Sequence, residues 1–287
     1  MYDGAKKRHN LLQHISMPFF KLPQVNLLAL IVQRGFMKQF KKTMLVAVVS
    51  LAALSSQVYA QQTSPWSVGL GVINFDSPYK GVDEKVFVLP MVAYQGERLT
   101  IDGFAAEYRL TERGGAGLSV VLTPGGHFLD ASDSDDAQVK QLSDRNLSMY
   151  AGIKASYSSE LGYLSAAIKH DISNNSKGVV ATADYSYPIQ VSSNLTITPA
   201  LGVDITSSKV ANYYFGLAAN ELQNEAAYHL DKTFSCYVGV LATYNVSPSW
   251  KINAYMRYKQ LDDDIKRSPL IKREDMSFAV LSLAYQF

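Results

Sequence analysis

AVLSLAYQF, residues 279–287, closes the chain, and its side chains alternate in character. Ala279, Leu281, Leu283, Tyr285 and Phe287 are apolar or aromatic, and they occupy every second position. Because successive side chains of a β-strand point to opposite faces, these five fall on one face of a predicted strand. The stretch therefore predicts a terminal strand with a continuous apolar face, and the medium that this face meets decides the fold.

A terminal phenylalanine behind such an alternating strand is typical of bacterial outer-membrane β-barrels. We predict that Leu281, Leu283, Tyr285 and Phe287 form the membrane-insertion signal that the barrel-assembly machinery recognises. In such a barrel the apolar face points to lipid, so function has to be sought in the lumen, the loops and the rims.

The beginning of the chain predicts export. Three lysines precede the apolar segment 44–54, and small residues follow it up to Ala60. These are the three parts of a secretory signal peptide, and the apolar segment is shorter than the roughly 20 residues of a membrane-spanning helix. The predicted organisation is a non-native or wrongly assigned extension over 1–36, a signal peptide over 37–60 with cleavage after Ala60, and a barrel over 61–287.

The predicted exported part differs in charge from the whole chain. Eight of the 27 basic residues but only one of the 25 acidic residues precede residue 61, which leaves 19 basic and 24 acidic side chains and a formal charge of −5. This balance gives no electrostatic basis for binding nucleic acid. The single cysteine, Cys236, cannot form an internal disulfide, and by alternation it lies on an apolar face as a small hydrophobic residue.

Internal segments repeat the alternation of the terminal strand. In 250–258, Trp, Ile, Ala, Met and Tyr alternate with Lys, Asn, Tyr and Arg, and segments of about ten residues with this pattern are typical of transmembrane strands. A soluble β-sandwich or lipocalin-like barrel would turn the apolar face inward, whereas the charges of the other face suit a wet lumen. The charged members of that face are Lys154, Lys169, Asp171, Asp184, Asp204, Lys251, Arg257 and Lys259. The sequence thus predicts an all-β protein, an antiparallel transmembrane β-barrel of 10–12 strands.

The strand count stays open between two values. Twelve candidate strands fall near 65–73, 86–94, 97–110, 115–123, 145–158, 161–172, 177–188, 193–206, 211–218, 232–246, 248–260 and 274–287. Counted back from the end, twelve strands put the long acidic segment 124–144 in the periplasm, although periplasmic turns should be short. Merging 207–231 into one outer loop, and treating 65–73 as a plug or edge, gives ten strands and moves 124–144 outside.

The most specific motif follows the first predicted strand. It reads Ser77-Pro78-Tyr79-Lys80-Gly81. Through this block, through Tyr213–Leu217 and Ser268–Ile271, and through the closing strand, the part 61–287 resembles the MipA/OmpV family of outer-membrane proteins. The chain departs from that family at Gly126-His127, where the family often has a Gly-Arg pair before its acidic loop.

The resemblance implies a protein without enzymatic activity or cofactor. The role best described for the family is that of a scaffold for murein synthesis, which holds a lytic transglycosylase and a bifunctional penicillin-binding protein together at the outer membrane. We expect the protein in the outer membrane of a Gram-negative cell, in contact with lipid and lipopolysaccharide.

Two other functions remain open on the sequence, namely a narrow channel for small solutes and a surface adhesin that acts through its loops. A twelve-stranded barrel can enclose a narrow lumen. Alternation directs Tyr150, Tyr237, Tyr255 and Phe104 inward, where they would fill it.

The Ser77–Gly81 motif has two interpretations. Pro78 fixes its own φ and Gly81 tolerates a positive φ, so the motif predicts a tight turn. Tyr79 and Lys80 would then lie at the tip, where an aromatic and a cationic side chain suit contact with a partner. The alternative is a rigid turn that closes the mouth of the barrel.

Neither catalytic nor metal chemistry is indicated. His127, His170 and His229 share no metal-ligand spacing, and His170 and Asp171 point to opposite faces of one strand. An acidic group could attract calcium but lacks the ordered spacing of a calcium loop, so we interpret it as a solvated loop. Its members are Asp130, Asp133, Asp135, Asp136 and Asp144.

Overall fold

The computed structural model describes residues 64–219, 221–222 and 225–287. The predicted extension 1–36, the predicted signal peptide 37–60 and the predicted cleavage site at Ala60 lie outside these residues. No helix in the described part is both long and apolar enough to cross a membrane.

The described chain is nearly all β-structure. Its strands are β1 (Trp66–Phe75), β2 (Lys85–Gln95), β3 (Leu99–Asp102), β4 (Ala105–Arg113), β5 (Ala116–Pro124), β6 (Met149–Ser159), β7 (Gly162–Asp171), β8 (Val179–Ser186), β9 (Ile189–Gln190), β10 (Leu195–Thr206), β11 (Thr233–Asn245), β12 (Trp250–Gln260) and β13 (Asp275–Gln286). Two short helices lie in the loops, α1 (Ser208–Phe215) and α2 (Asp263–Lys266). Two single-turn 3-10 helices, Ala131–Asp133 and Val139–Gln141, lie between β5 and β6.

The sheet closes on itself. Each strand pairs antiparallel with its neighbours, and β13 pairs both with β12 and with β1. The strands β8 and β9 both lie along the same edge of β10, on either side of the interruption at Pro188, so they share one position in the wall. The described chain therefore forms a closed antiparallel barrel with twelve strand positions, as the higher of the two predicted counts requires.

Two errors in the predicted strands cancel in that count. The predicted strand 97–110 is a hairpin, β3 and β4, because the chain reverses at Gly103 with a φ of +57°. The predicted strand 211–218 is instead mostly helix α1, whose buried residues are Val210, Ala211, Tyr214 and Phe215. Their spacing follows the 3.6-residue period of a helix, which an inspection for alternation misses. The predicted plug or edge 65–73 is the full wall strand β1.

The connections distinguish the two rims of the barrel. The first and last described residues lie together, since Ser64 donates its N–H to the carbonyl of Phe287 at 2.6 Å. The turns 96–98, 114–115, 160–161, 191–194 and 246–249 share this rim, and the loops 76–84, 125–148, 172–178, 207–232 and 261–274 share the other. The short turn at 103–104 lies within the wall, because β3 has only four residues. In bacterial barrels short turns face the periplasm and long loops face outside. The acidic segment 124–144 therefore lies on the outer side, and the conflict in the twelve-strand count disappears.

The wall has the polarity of a membrane barrel. Leu70, Ile153 and Leu201 point outward and are 63%, 53% and 56% exposed. Near the short-turn rim the outward aromatic rings are close together, with centroids of Trp66 and Tyr94 4.8 Å apart. Trp250 and Tyr285 form a similar pair at 5.0 Å. Such rings mark the membrane–water boundary, so the apolar band above them faces lipid.

Candidate functional site

A hydrophobic cluster closes the barrel at the long-loop rim. We call this cluster the cap. Its buried residues are Tyr79, Leu129, Ala131, Val139, Leu142, Tyr150, Val210, Ala211, Tyr214, Phe215, Leu217, Leu222, Leu230, Leu261, Ile265, Leu270, Ile271 and Met276. Burying a large apolar side chain contributes about 1.5–3 kcal/mol, so the cap is a packed core within the loops and not a loose cover.

The Ser77–Gly81 turn lies inside the cap. The ring of Tyr79 is 2% exposed and stacks on Phe215 with a centroid distance of 6.2 Å. Its hydroxyl group donates to the carbonyl oxygen of Tyr214 at 2.8 Å, and burial raises the pKa of the Tyr79 phenol far above its usual range. Tyr79 is therefore not at an exposed tip, and the geometry favours the interpretation of a rigid turn that closes the mouth.

The rest of the motif fixes the turn in place. The carbonyl of Pro78 accepts from the N–H of Lys272 at 2.9 Å, and Lys80 donates its N–H to Leu270 at 2.9 Å. Gly81 has a φ of +69°, and a Cβ at this position would lie 2.3 Å from the amide nitrogen of Asp136. Only glycine fits such a conformation and contact without strain. Among the side chains of the motif, that of Lys80 keeps partial exposure, so partner contact by this turn stays a prediction.

Tyr214 joins the cap to the top of the wall. Its hydroxyl oxygen accepts from the N–H of Ser148 at 3.0 Å and lies 2.9 Å from the Ser148 hydroxyl oxygen. A second tie is the ion pair of Arg145 and Glu221, whose side chains are only 10% and 14% exposed. Loops 125–148 and 207–232 are thereby held to each other by both a hydrogen-bond network and a charge pair.

His127 lies beneath the cap, at the position where the chain departs from the family pattern. Its ring centroid is 4.9 Å from that of Phe215 and 5.5 Å from that of Tyr214. Burial, and to a lesser degree the positive charge of Lys259, lowers the pKa of His127 to about 3. Its Nδ1 atom is buried and has no hydrogen-bond partner in the described part of the chain. The neutral imidazole thus packs as an aromatic ring.

Charges line the lumen across three neighbouring strands, β10 to β12. Arg257 donates to a carboxylate oxygen of Asp204 at 2.9 Å, and Lys259 pairs with the same carboxylate. The guanidinium of Arg257 lies 3.5 Å from the centroid of the Tyr237 ring. The predicted inward direction of these charged strand residues is confirmed.

The inward aromatic residues agree with the alternation except at one position. Tyr150 and Tyr237 are buried, at 4% and 8% exposure. Phe104 was predicted to point inward from a long strand, but it forms the tip of the β3–β4 hairpin and is 76% exposed. The parity prediction failed there because the strand ends at Asp102.

A cavity of about 250 Å³ remains in the lumen beside this hairpin. Its charged lining residues are Asp102, Glu107, Lys154, Lys169 and Asp184. Glu107 and Lys154 form an ion pair. The cavity could not be predicted from alternation, because it depends on where β3 stops.

The acidic residues of loop 125–148 act within the loop. Asp130 caps the first 3-10 helix by accepting from the N–H of Ser132, and Asp144 accepts from the N–H of Ala131 at 2.9 Å. Asp133 pairs with Lys85 on β2. In the ranges that the structure describes, no group of three or more His, Cys, Asp or Glu side chains is arranged to hold a metal ion.

Comparison with known proteins identifies relatives over nearly the whole barrel. The family model described as "MltA-interacting protein MipA" matches residues 68–287. The MltA-interacting protein of Escherichia coli K12 is 29% identical over 248 residues, covering 86% of this chain and 99% of the relative. The outer membrane protein OmpV of Vibrio cholerae is 26% identical over 260 residues, covering 88% and 100%. The putative outer membrane protein YiaT of Escherichia coli K12 is 26% identical over 242 residues, covering 84% and 98%.

Solved barrels resemble the chain more distantly. The NanC porin has a TM-score of 0.40 at 11% identity, with 76% of this chain and all of that chain covered. An outer-membrane channel of Pseudomonas putida F1 has a TM-score of 0.40 at 9% identity, with 82% and 100% covered. At these scores the solved structures add nothing to what the closed sheet itself shows.

The closed sheet, the apolar outer band and the matched relatives agree with one another. They place the barrel in the outer membrane of a Gram-negative cell, as the terminal strand predicts. The family match spans the whole wall from β1 to the closing residue, and it includes the turn that anchors the cap. The chain belongs to the MipA family of outer-membrane β-barrel proteins.

Proposed function

We propose that this protein is a scaffold that holds a murein hydrolase and a murein synthase at the outer membrane. The observation that carries the proposal is the cap, which fills the mouth of the barrel with packed side chains instead of leaving an open pore. The relatives named MltA-interacting proteins support an interaction with a lytic transglycosylase. The proposal assigns no catalytic role to the chain, and a penicillin-binding protein is the second partner.

The proposed docking surface is the rim of the short turns, because murein enzymes act in the periplasm. This rim carries the turns 96–98, 114–115, 160–161 and 246–249. The Ser77–Gly81 turn lies on the opposite rim, so it supports a periplasmic partner only by keeping the barrel rigid. Lys80 is available instead to a partner outside the cell.

The experiment compares photo-crosslinkers on the two rims. Probes at Arg98 and Glu160 report on the short-turn rim, and a probe at Lys80 is the matched control on the other rim. We expect a lytic transglycosylase and a penicillin-binding protein to be captured by the first two probes only. Capture of neither enzyme from any position, with both enzymes verified in the same envelopes, would refute the proposal.

The channel remains the second candidate, because the lumen contains charged side chains and a cavity of about 250 Å³. Planar-bilayer recording of the pure refolded protein separates the two functions. The scaffold predicts no stable current, whereas a steady ohmic current that scales with salt would establish the channel.

An adhesin acting through the long loops predicts instead that cells bind host surfaces and lose this binding when loop 207–232 is replaced.

A further inference from the structure

The wall of the barrel is incomplete in its outer half, between β2 and β5. The strand β2 pairs with β1 along its whole length, but with β3 only from Ala93 to Gln95. The strand β3 has four residues and turns back at Gly103 and Phe104. In the described chain no strand covers the second edge of β2 over residues 85–92. This uncovered stretch is eight of the eleven residues of β2.

The uncovered edge lies in the part of the wall that faces lipid. Val86 and Val88 point outward from it and are 63% and 66% exposed. On the loop side the gap is bridged by the segment after β5, where Phe128 stacks on Phe75 with a centroid distance of 5.3 Å. Lys85 holds this segment through Asp133. We call the resulting opening the window; it is framed by β2, the hairpin tip at 103–104 and the segment 123–128.

The backbone of β2 turns polar groups toward the window. The carbonyl oxygen of Val92 accepts from the N–H of Gly103 at 3.0 Å, so the backbone N–H and C=O of Val92 point to the β3 side of the strand. Since every second residue of a strand directs its N–H and C=O to the same side, Val86, Val88 and Pro90 face the window. Proline has no N–H and is typical of strand edges. The other N–H and C=O groups on this edge of β2 cannot face lipid hydrocarbon without hydrogen-bond partners. Unpaired backbone of this kind occurs at membrane depth only where it lines a polar cavity.

A cavity of this kind borders the window on two of its three sides, because Asp102 of the hairpin and Thr123 of the segment 123–128 line it. It has a volume of about 250 Å³. Glu107 and Lys154 neutralise each other across it. Lys169 and Asp184 also line it, and in the described chain neither has an ion-pair partner within 4.0 Å. The cavity therefore offers one cation, Lys169, and one enclosed anion, Asp184, whereas Asp102, which also lines it without an ion pair in the described chain, lies on the exposed hairpin.

The inner face of β2 beside the window is apolar. Phe87, Leu89 and Met91 point inward, opposite in parity to the exposed valines. Phe87 keeps 38% of its surface exposed although it points into the barrel. There is thus free space next to an apolar wall on the side of β2 that faces the lumen.

We propose that the window is a lateral portal through which a single-chain amphiphile with a zwitterionic head enters the lumen. The head binds between Lys169 and Asp184, and the chain lies along Phe87, Leu89 and Met91. One cation and one anion match a zwitterion without leaving a net charge buried. The cavity is smaller than the roughly 300–1,000 Å³ of sites for drug-sized ligands, so it suits a head group and excludes a whole two-chain lipid.

The test uses lysophosphatidylethanolamine with a diazirine on its acyl chain. A chain of residues 61–287, folded in a nonionic detergent, is irradiated with this probe, and labelled residues are mapped by mass spectrometry. We expect labels on Leu89 and Met91. The double variant Lys169→Gln with Asp184→Asn should lower this labelling at least fivefold. The control Lys251→Gln changes an inward lysine that does not line the cavity, and it should leave the labelling unchanged.

Two results would overturn the proposal. The first is labelling confined to outward residues such as Leu201 and Val240, equal in all variants that retain heat-modifiable migration. The second is equal labelling of Leu89 by a diazirine monoacylglycerol, which has no charged head. The inference goes beyond the docking function, and neither experiment decides the outcome of the other.

Discussion

Tyr79 and Tyr214 are joined across 135 residues of sequence by a hydrogen bond of 2.8 Å from the phenol of the first to the carbonyl of the second. Their side chains are 2% and 1% exposed. The bond ties the turn after β1 to helix α1, so two loops that are far apart in sequence close the mouth as one body.

Removal of this bond should loosen the cap. Tyr79→Phe keeps the ring but leaves the buried carbonyl of Tyr214 without its donor, which costs about 1–3 kcal/mol. We expect a lower unfolding midpoint and faster hydrogen exchange in loops 76–84 and 207–219. Tyr157→Phe, at an outward ring that is 50% exposed, is the control and should change neither value. Unchanged exchange in Tyr79→Phe would show that the bond does not hold the cap.

The Arg145–Glu221 pair should show strong coupling. Either single change, Arg145→Met or Glu221→Gln, leaves one nearly buried charge unpaired and should cost about 3–5 kcal/mol. The double variant should lose less than the sum of the two, as measured by a double-mutant cycle in urea. Additive losses would mean that the two side chains act independently. Lys266 and Asp263, of which Asp263 is 81% exposed, provide a surface pair for comparison that should couple weakly.

Acid should open the cap through His127. Burial lowers the pKa of this imidazole to about 3, below its ordinary value near 6.5. The contribution of neutral His127 to the free energy of unfolding is complete above pH 6.5. It is lost as the pH falls toward 3, because the unfolded chain binds the proton more readily than the folded chain. At pH 4 the loss amounts to about 3 kcal/mol. His127→Phe should unfold with a flatter pH dependence between 6.5 and 4, and a profile identical to that of the unchanged chain would contradict this account.

Asp76 should have the opposite dependence. Burial raises the pKa of its carboxyl group to about 6, although Arg273 at 2.9 Å opposes the shift. The folded state therefore binds the proton more tightly, and stability falls as the pH rises from about 4 through 6, by about 2–3 kcal/mol. Asp76→Asn should remove this part of the slope. The free energies of unfolding of the unchanged chain and of Asp76→Asn, measured from pH 4 to pH 8, should differ by an amount that changes with pH. A difference that stays constant over this range would exclude the effect.

The last residue should govern assembly. Phe287→Ser removes the final aromatic of the predicted insertion signal, and we expect the heat-modifiable fraction in outer membranes to fall severalfold. The control Ala284→Ser lies in the same strand on the inward face and should assemble normally. Equal yields of the two variants would show that the signal resides elsewhere.

The wall could be predicted from the sequence because it depends on local periodicity. In β11, β12 and β13 the outward residues are those that alternation selects, and Cys236 is exposed on the outer face as predicted. A bilayer outside and water inside impose a period of two on every wall strand. That rule needs no information from distant parts of the chain.

Apart from the Ser77–Gly81 turn, for which closure of the mouth is one of the two interpretations, the cap could not be predicted, since it depends on contacts between loops. The burial of Tyr79 requires Tyr214, and no local pattern near residue 79 announces it. Helix α1 was misread because Tyr213, Tyr214 and Phe215 favour strands by propensity, whereas packing in the cap selects a helix. The window was missed for a similar reason, as it arises from the four-residue length of β3.

The seam between β1 and β13 pairs Ser67 with Gln286 and joins the first and the last strand of the described barrel. The cylinder cannot close until β13 has been synthesised and secreted, because β13 is the strand that pairs with both β12 and β1. A product that ends before β13 has two unpaired strand edges, on β1 and β12, and lacks the strand that joins them. A product without β13 thus stays open, and its strand edges stay available to envelope proteases and chaperones.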